Sequence, residues 1–260
     1  MSSRVVDDVV ECDDIGTGHP VLLVHGVAFG PSAFSRTAEA LEPFARVLVV
    51  HRRGYGRSAA RPGGGRPEDH ASDLLDLVDR MGIERVNGLG VSGGATILAA
   101  FAMAYPERCG AIVLHEPALG PLAPGVHALC ERLARSVAAA PSPSAGADLV
   151  ASALAGSETW GWLGTAGRAE ARRSAAMVRQ ETELQARFAP SAAELSAMRG
   201  TTLVASIGSR SGGERREAAG VLVRIAGAAT VLVPGAGNQP HLENPLGLAT
   251  LIRSQVAAPV

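Results

Sequence analysis

Short apolar runs recur along the chain at residues 21–24, 47–50, 86–89, 111–114, 202–207 and 230–233, and stretches of helical character lie between them. Most are valine- and leucine-rich with no polar alternation, the pattern of a strand buried on both faces. Strands of that kind alternating with helices imply a parallel sheet covered by helices on each side. Residues 5–15 mix apolar and acidic side chains in a further strand-like stretch, closed by turn chemistry at Asp14-Ile15-Gly16-Thr17-Gly18. Helices are expected at 32–44, with Ser32 as a candidate N-cap, and at 67–81, 95–105, 214–225 and 246–256. A sheet built this way binds ligands outside the carboxyl ends of its strands. His25-Gly26, His51, Ser92, Glu116, Ser211 and the loop 235–241 all fall at such ends.

The pattern changes between 118 and 190. No buried-strand run occurs there, alanine is abundant, and Pro141, Pro143 and several glycines interrupt the helical character. This region is expected to be a helical insertion containing Trp160 and Trp162. The 260 residues then suit one large α/β domain carrying that insertion.

Composition narrows the function classes. The formal net charge is −1, which gives no electrostatic basis for binding nucleic acid or an anionic membrane surface. Every basic residue other than histidine is arginine. Cys12, Cys109 and Cys130 are scattered and odd in number, so no disulfide framework is expected. Residues 1–10 carry acidic side chains and no apolar core of a signal peptide, and no uncharged apolar run approaches ~18 residues. A reduced, cytoplasmic protein is the expectation. Nothing in the sequence specifies an oligomeric state.

Gly90-Val91-Ser92-Gly93-Gly94 follows the third apolar run and leads into the alanine-rich stretch 95–105. Strand, tight turn, then helix is the context of a nucleophile elbow, where a G-x-S-x-G serine sits at a strained backbone position. Glycines flank it because a Cβ there would meet the neighbouring strand and helix. The following helix directs its N-terminal N–H groups at the serine. The bland alternative is a glycine-rich turn with a surface serine.

Four features in this order, HG at 25–26, RRGYGRS at 52–58, GVSGG at 90–94 and GAG…HLENP at 235–245, make the chain resemble the α/β-hydrolase superfamily over nearly its whole length. The resemblance implies a mostly parallel, eight-stranded sheet with helices on both faces. It implies a core domain of residues 1–117 and 191–260 and a helical cap at 118–190. It also implies Ser92 as nucleophile, with the backbone N–H groups of Val27 and Gly93 as the oxyanion hole.

Two positions depart from the family pattern. The acid usually follows the fifth of the runs above in a G-x-x-D pattern, and here Gly208-Ser209-Arg210-Ser211 ends in serine. Some members take the acid from the end of the strand after the elbow helix, which corresponds to Glu116; the alternative is a structural glutamate capping nearby amides. The base histidine usually ends GAGH, and here Asn238 occupies that position. An amide does not accept a proton from serine at neutral pH. Three explanations stand side by side: an introduced substitution at 238, a natural member using Ser92 and Asn238 in a non-hydrolytic step of specialised metabolism, or His241 as a displaced base. The bland reading of His241 is loop packing.

The expected function is therefore that of an α/β-hydrolase-fold enzyme acting through Ser92 on an ester, thioester or related carbonyl substrate. The alternative is a cyclase, lyase or ligand-binding protein on the same fold. The substrate is expected to be a small apolar or aromatic molecule, with Trp160, Trp162, Met177, Leu184 and Phe188 as candidate walls. No cofactor is called for. No H-x-x-x-H or carboxylate pair suggests a metal, and Gly63-Gly64-Gly65 lacks the context of a phosphate loop. His70 is expected on a helix away from the strand ends. His115 and Glu116 are expected to point in opposite directions, as neighbours in a strand do.

Overall fold

Leu22 and Val24 enter one hydrophobic cluster and Val21 and Leu23 another, and all four are buried. A strand that alternates between two apolar environments must lie between two layers of helix. The computed structural model, which describes residues 10–58 and 65–256, shows that arrangement. Its strands are β1 (Glu11–Ile15), β2 (Pro20–Val24), β3 (Arg46–His51), β4 (Val86–Val91), β5 (Cys109–His115), β6 (Thr202–Gly208) and β7 (Ala229–Val233). They form one sheet in the order β1-β3-β2-β4-β5-β6-β7. Only β1 runs antiparallel, against β3. The eight strands implied by the resemblance are thus seven among the described residues. Of these, β1 turns through Gly16 and Gly18 straight into β2. Residues 1–9, on which the signal-peptide expectation and the start of the 5–15 stretch fall, and 59–64, which hold Gly63 and Gly64, lie outside the described residues.

The helices are α1 (Ser35–Leu41), α2 (Pro67–Arg80), α3 (Gly93–Ala104), α4 (Pro124–Ala138), α5 (Pro143–Trp162), α6 (Gly164–Arg173), α7 (Ala175–Arg187), α8 (Ala192–Ser196), α9 (Gly213–Ala226), α10 (Pro240–Glu243) and α11 (Pro245–Val256). One face of the sheet is covered by α2, α3 and α9, through residues such as Leu74, Leu98 and Leu222. The other is covered by α1 and α11, through Leu41, Leu248 and Ile252. Each such side chain removed from water contributes about 1.5–3 kcal/mol. Helix α3 is buried almost all round, which explains its alanines: small side chains let it lie close to the sheet. The same closeness explains why β4 forms despite Gly88 and Gly90. A Cβ at Gly88 would meet Leu98 of α3, and one at Gly90 would stand 2.5 Å from Ala95 Cα.

Helices α4 to α7 intervene between β5 and β6. They share an apolar cluster with the loop after β2, joining Val150, Ala151 and Val178 to Val27, Ala28 and Phe29. Among the described residues no helix is long and apolar enough to cross a membrane.

Candidate active site

Ser92 has φ 53° and ψ −117°, left-handed geometry for a residue with a side chain. Such strain persists only where its surroundings over-determine it. Here the Ser92 N–H donates to the His115 carbonyl at the end of β5 (2.8 Å), and its own carbonyl accepts from Thr96 N–H (3.1 Å). A Cβ at Gly94 would run into the carbonyl oxygens of Val24 and His25. The serine is therefore held at the carboxyl end of β4, at the start of α3. Its hydroxyl has no hydrogen-bond partner among the described residues.

Val27, Ser92 and Gly93 line one narrow cavity of about 30 Å³, room for a water-sized group beside the serine. The backbone N–H groups of Val27 and Gly93 find no acceptor among the described residues. The other walls are mostly aliphatic: Leu129 and Leu133 from α4, Val150 and Leu154 from α5. Thr182 and Gln185 of α7 and Arg215 of α9 add polar groups. Leu129, Leu154 and Arg215 also line a second, more polar and more open cavity of about 570 Å³, together with Glu116, Arg210, Asn238 and Glu243. Trp160 lines neither cavity and packs, half-buried, against the cluster around Phe29. The side chain of Trp162 lies outside the described residues. Met177 packs near Gly54, and Phe188 joins the core under α3. The polar residues Gln185, Thr182 and Arg215 were not singled out from sequence. Their only sequence signal is position, on helices that approach the strand ends.

Glu116 and Asn238 are brought together. Asn238 Nδ2 donates to Glu116 Oε2 at 2.8 Å, and Asn238 Oδ1 accepts from Gln239 Nε2 at 2.8 Å. The other Glu116 oxygen accepts from Gly208 N–H (2.9 Å). Arg215 Nε lies 3.6 Å from Oε2. Burial alone raises the Glu116 carboxyl, but the Arg215 guanidinium beside it and the hydrogen bond from Asn238 outweigh that, and it stays below the ordinary carboxylate value. Glu116 leaves β5 with φ 52°. That turn corrects the expectation of opposed side chains, because it brings Glu116 Oε1 to 3.5 Å from His115 Nε2.

No imidazole hydrogen-bonds the Ser92 hydroxyl among the described residues. His115 is fully buried, with Nε2 donating to the Gly237 carbonyl (3.0 Å) and Nδ1 facing Ser206 Oγ (3.0 Å), a tautomer assigned from those partners. Burial keeps it neutral, lowering its pKa. His241 stacks on Phe34 (centroids 4.7 Å apart) and meets Phe29 edge-on, and neither ring nitrogen has a hydrogen-bond partner among the described residues. Burial pushes it down to about 3. It lines neither cavity. Its folded pKa lies below the ordinary 6.5, so the unfolded chain binds the extra proton. Stability attached to this residue is present above pH 6.5 and is lost as pH falls toward 3. His241→Phe is expected to flatten that part of the stability–pH profile, read by urea denaturation between pH 7 and 4. An unchanged profile would contradict the burial assignment.

Beneath the His25-Gly26 turn lies a buried charged cluster. Arg52, at the end of β3, pairs with Glu181 of α7 through two N–H groups. Arg52 also donates to the Gly26 carbonyl (3.1 Å), and Tyr55 Oη donates to Glu181 (2.7 Å). His70 Nε2 stands 2.6 Å from Glu181 Oε1, so this histidine reaches the strand ends after all, from the inner face of α2. Burial works against the Glu181 charge, yet Arg52 and His70 bring its carboxyl down to about 2. Among the described residues no group of three His, Cys, Asp or Glu is placed to hold a metal ion.

A family model described as alpha/beta hydrolase fold matches residues 19–193. Among curated relatives, a 2-hydroxy-6-oxononadienedioate/2-hydroxy-6-oxononatrienedioate hydrolase of Cupriavidus pinatubonensis is 35% identical over 111 residues, covering 40% of this chain and 38% of that protein. A pimeloyl-(acyl-carrier protein) methyl ester esterase of Vibrio campbellii is 34% identical over 101 residues, 38% of this chain and 37% of the relative. The chain spans about a quarter to two fifths of the length of the curated relatives it matches. Among solved structures, a thermophilic esterase from Thermogutta terrifontis superposes with TM-score 0.77 at 25% identity, over 95% of this chain and 92% of the other. The enol-lactonase from Burkholderia xenovorans LB400 shares the fold, with TM-score 0.75 at 20% identity over 95% and 96% of the two chains.

Proposed function

This chain belongs to the alpha/beta hydrolase fold family, and from that premise we propose that it acts on an ester, thioester or related carbonyl group of a small, largely apolar molecule, at Ser92. One observation carries the reading. A strained serine shares a cavity with two residues, Val27 and Gly93, whose backbone N–H groups have no acceptor among the described residues. Free donors beside a nucleophile are what a developing oxyanion needs, and each is worth about 2.7–4 kcal/mol in the transition state. Helices α4, α5 and α7 then act as a cap over the substrate, whose apolar body meets Leu129, Leu133, Val150 and Leu154. The esterase and hydrolase names of the matched relatives agree with carbonyl chemistry.

Asn238 limits what the chain does as it stands. Its amide is anchored to Glu116, as a base would be, but it takes no proton. Hydrolysis of p-nitrophenyl acetate through octanoate is the direct test, run on the full chain and on Asn238→His. A silent Asn238→His variant that remains folded would sink the acyl-transfer reading.

A second reading has its own observation. Gln239 is fully buried and donates to Asn238 Oδ1, so the surroundings of position 238 are fitted to an amide. That favours a step in which a carbonyl is held and polarised without proton transfer from serine, as in a cyclisation or elimination. Ordinary ester turnover by the chain with Asn238 in place would remove this alternative.

A further inference from the structure

Helix α7 buries one polar face, Glu181, Thr182 and Gln185, in phase with Met177 and Val178. Two of the three have settled partners. Glu181 is held by Arg52, Tyr55 and His70, and Thr182 Oγ1 donates to the Val178 carbonyl. Gln185 has none: its carboxamide makes no side-chain hydrogen bond among the described residues, although the residue is only 8% exposed. Its amide atoms are not among the fully buried unpaired ones, so they face the open space of the cavity, where water or a ligand group satisfies them. Gln185 lines the cavity that holds Ser92. Its Nε2 lies over Gly93, so close that a Cβ on that glycine would overlap it. The other polar side chains that the helices α7 and α9 bring to the cavity are engaged. Arg215 faces Glu116, and the Thr182 hydroxyl is turned to its own helix.

We infer that Gln185 is a substrate-contacting residue whose carboxamide Nε2–H donates to the same carbonyl oxygen that the Val27 and Gly93 N–H groups receive. The inference rests on the carbonyl-binding reading of the Ser92 cavity and adds a third donor, delivered by the helical insertion instead of the core. It also specifies the ligand: an unhindered carbonyl joined to an aliphatic chain, entering beneath α7. The donor is independent of the residue at 238, so it serves hydrolysis and carbonyl polarisation alike.

The test separates this inference from the acyl-transfer reading by watching a carbonyl that does not react. Octan-2-one labelled with ¹³C at the carbonyl is bound to the full chain and to Gln185→Met, which keeps the length of the side chain and its helix propensity. The carbonyl stretch of the bound ketone is read by difference infrared spectroscopy. The expected result is a shift to higher wavenumber in Gln185→Met, with affinity weakened by up to about tenfold, the loss of one hydrogen bond. An unshifted band, or a ketone that does not bind the unmodified chain, overturns the inference. Ester turnover in the Asn238→His background is measured in parallel. There Gln185→Met is expected to lower kcat more than it raises KM, since the bond to the oxygen strengthens as charge develops. Loss of turnover on Ser92→Ala reports separately on the acyl-transfer reading. A ketone band shifted by Gln185→Met in a chain whose Asn238→His variant stays silent would therefore retain the donor and discard the hydrolase.

Discussion

Replacing Asn238 by histidine is expected to raise turnover of short-chain p-nitrophenyl esters by about 10²–10⁴-fold, the usual contribution of a positioned general base. The geometry supports that size of effect. Asn Nδ2 and His Nδ1 are both bonded to Cγ, so a histidine in the same rotamer keeps the 2.8 Å hydrogen bond to Glu116 Oε2. Glu116 stays ionised, since its carboxyl lies below the ordinary value, and an ionised acid fixes the tautomer with Nε2 free to accept a proton. The gain is expected to disappear on Ser92→Ala and to shrink on Glu116→Gln in the same background. A cost accompanies it. Gln239 Nε2 loses its acceptor, so Asn238→His is expected to be less stable by about 1–3 kcal/mol. Circular dichroism and urea denaturation separate that cost from the kinetic effect. Full ester turnover before the substitution would mean that position 238 does not hold the proton acceptor.

Much of this site is written locally in the chain, and the rest is not. The strands at 21–24, 47–50 and 111–114 are readable because burial on both faces leaves an uninterrupted apolar run. Ser92 is readable because its strained turn needs glycine at fixed offsets. The pairing of Glu116 with Asn238 joins residues 122 positions apart, and only the family resemblance suggested it. The direction of Glu116 escaped the alternation rule, since its positive φ takes it out of the strand. The pocket walls were misplaced for a different reason. Trp160, Met177 and Phe188 are large and apolar, but Trp160 and Met177 go to the apolar cluster that the insertion shares with the loop after β2, and Phe188 to the core under α3. The cavity is lined by smaller leucines and valines of α4 and α5. Gln185 and Glu181 were invisible because a buried polar face on a helix has the same periodicity as an exposed one.

Arg52→Met is expected to destabilise the protein by about 3–5 kcal/mol, the cost of leaving one member of a buried ion pair uncompensated. That is a large part of the 5–15 kcal/mol margin of a typical domain. Glu181 is fully buried, and in Arg52→Met it would keep Tyr55 and His70 but lose its only permanent cation. Its folded carboxyl lies near 2 against an ordinary 4.5. The stability it contributes is therefore present above pH 4.5 and is lost as pH falls toward 2. In Arg52→Met the carboxyl rises, and this acid-sensitive step is expected to shrink. Arg52→Met/Glu181→Gln is expected to recover part of the loss, because the amide still accepts from Tyr55 without carrying a charge. The cycle of single and double variants, measured by urea denaturation at pH 7, should give a coupling at the upper end of the 0.5–3 kcal/mol range, and additivity would refute the ion pair. Activity need not follow stability back. Arg52 also donates to the Gly26 carbonyl, one residue before Val27, and Glu181 stands one helical turn before Gln185. The cluster thus ties the backbone that offers one oxyanion donor to the helix that offers another. In the Asn238→His background the double variant is expected to remain folded and yet turn over more slowly than its parent, with kcat reduced more than KM is raised. A double variant restored in both stability and kcat would mean that the buried charges hold the insertion down without setting the geometry of the reacting carbonyl.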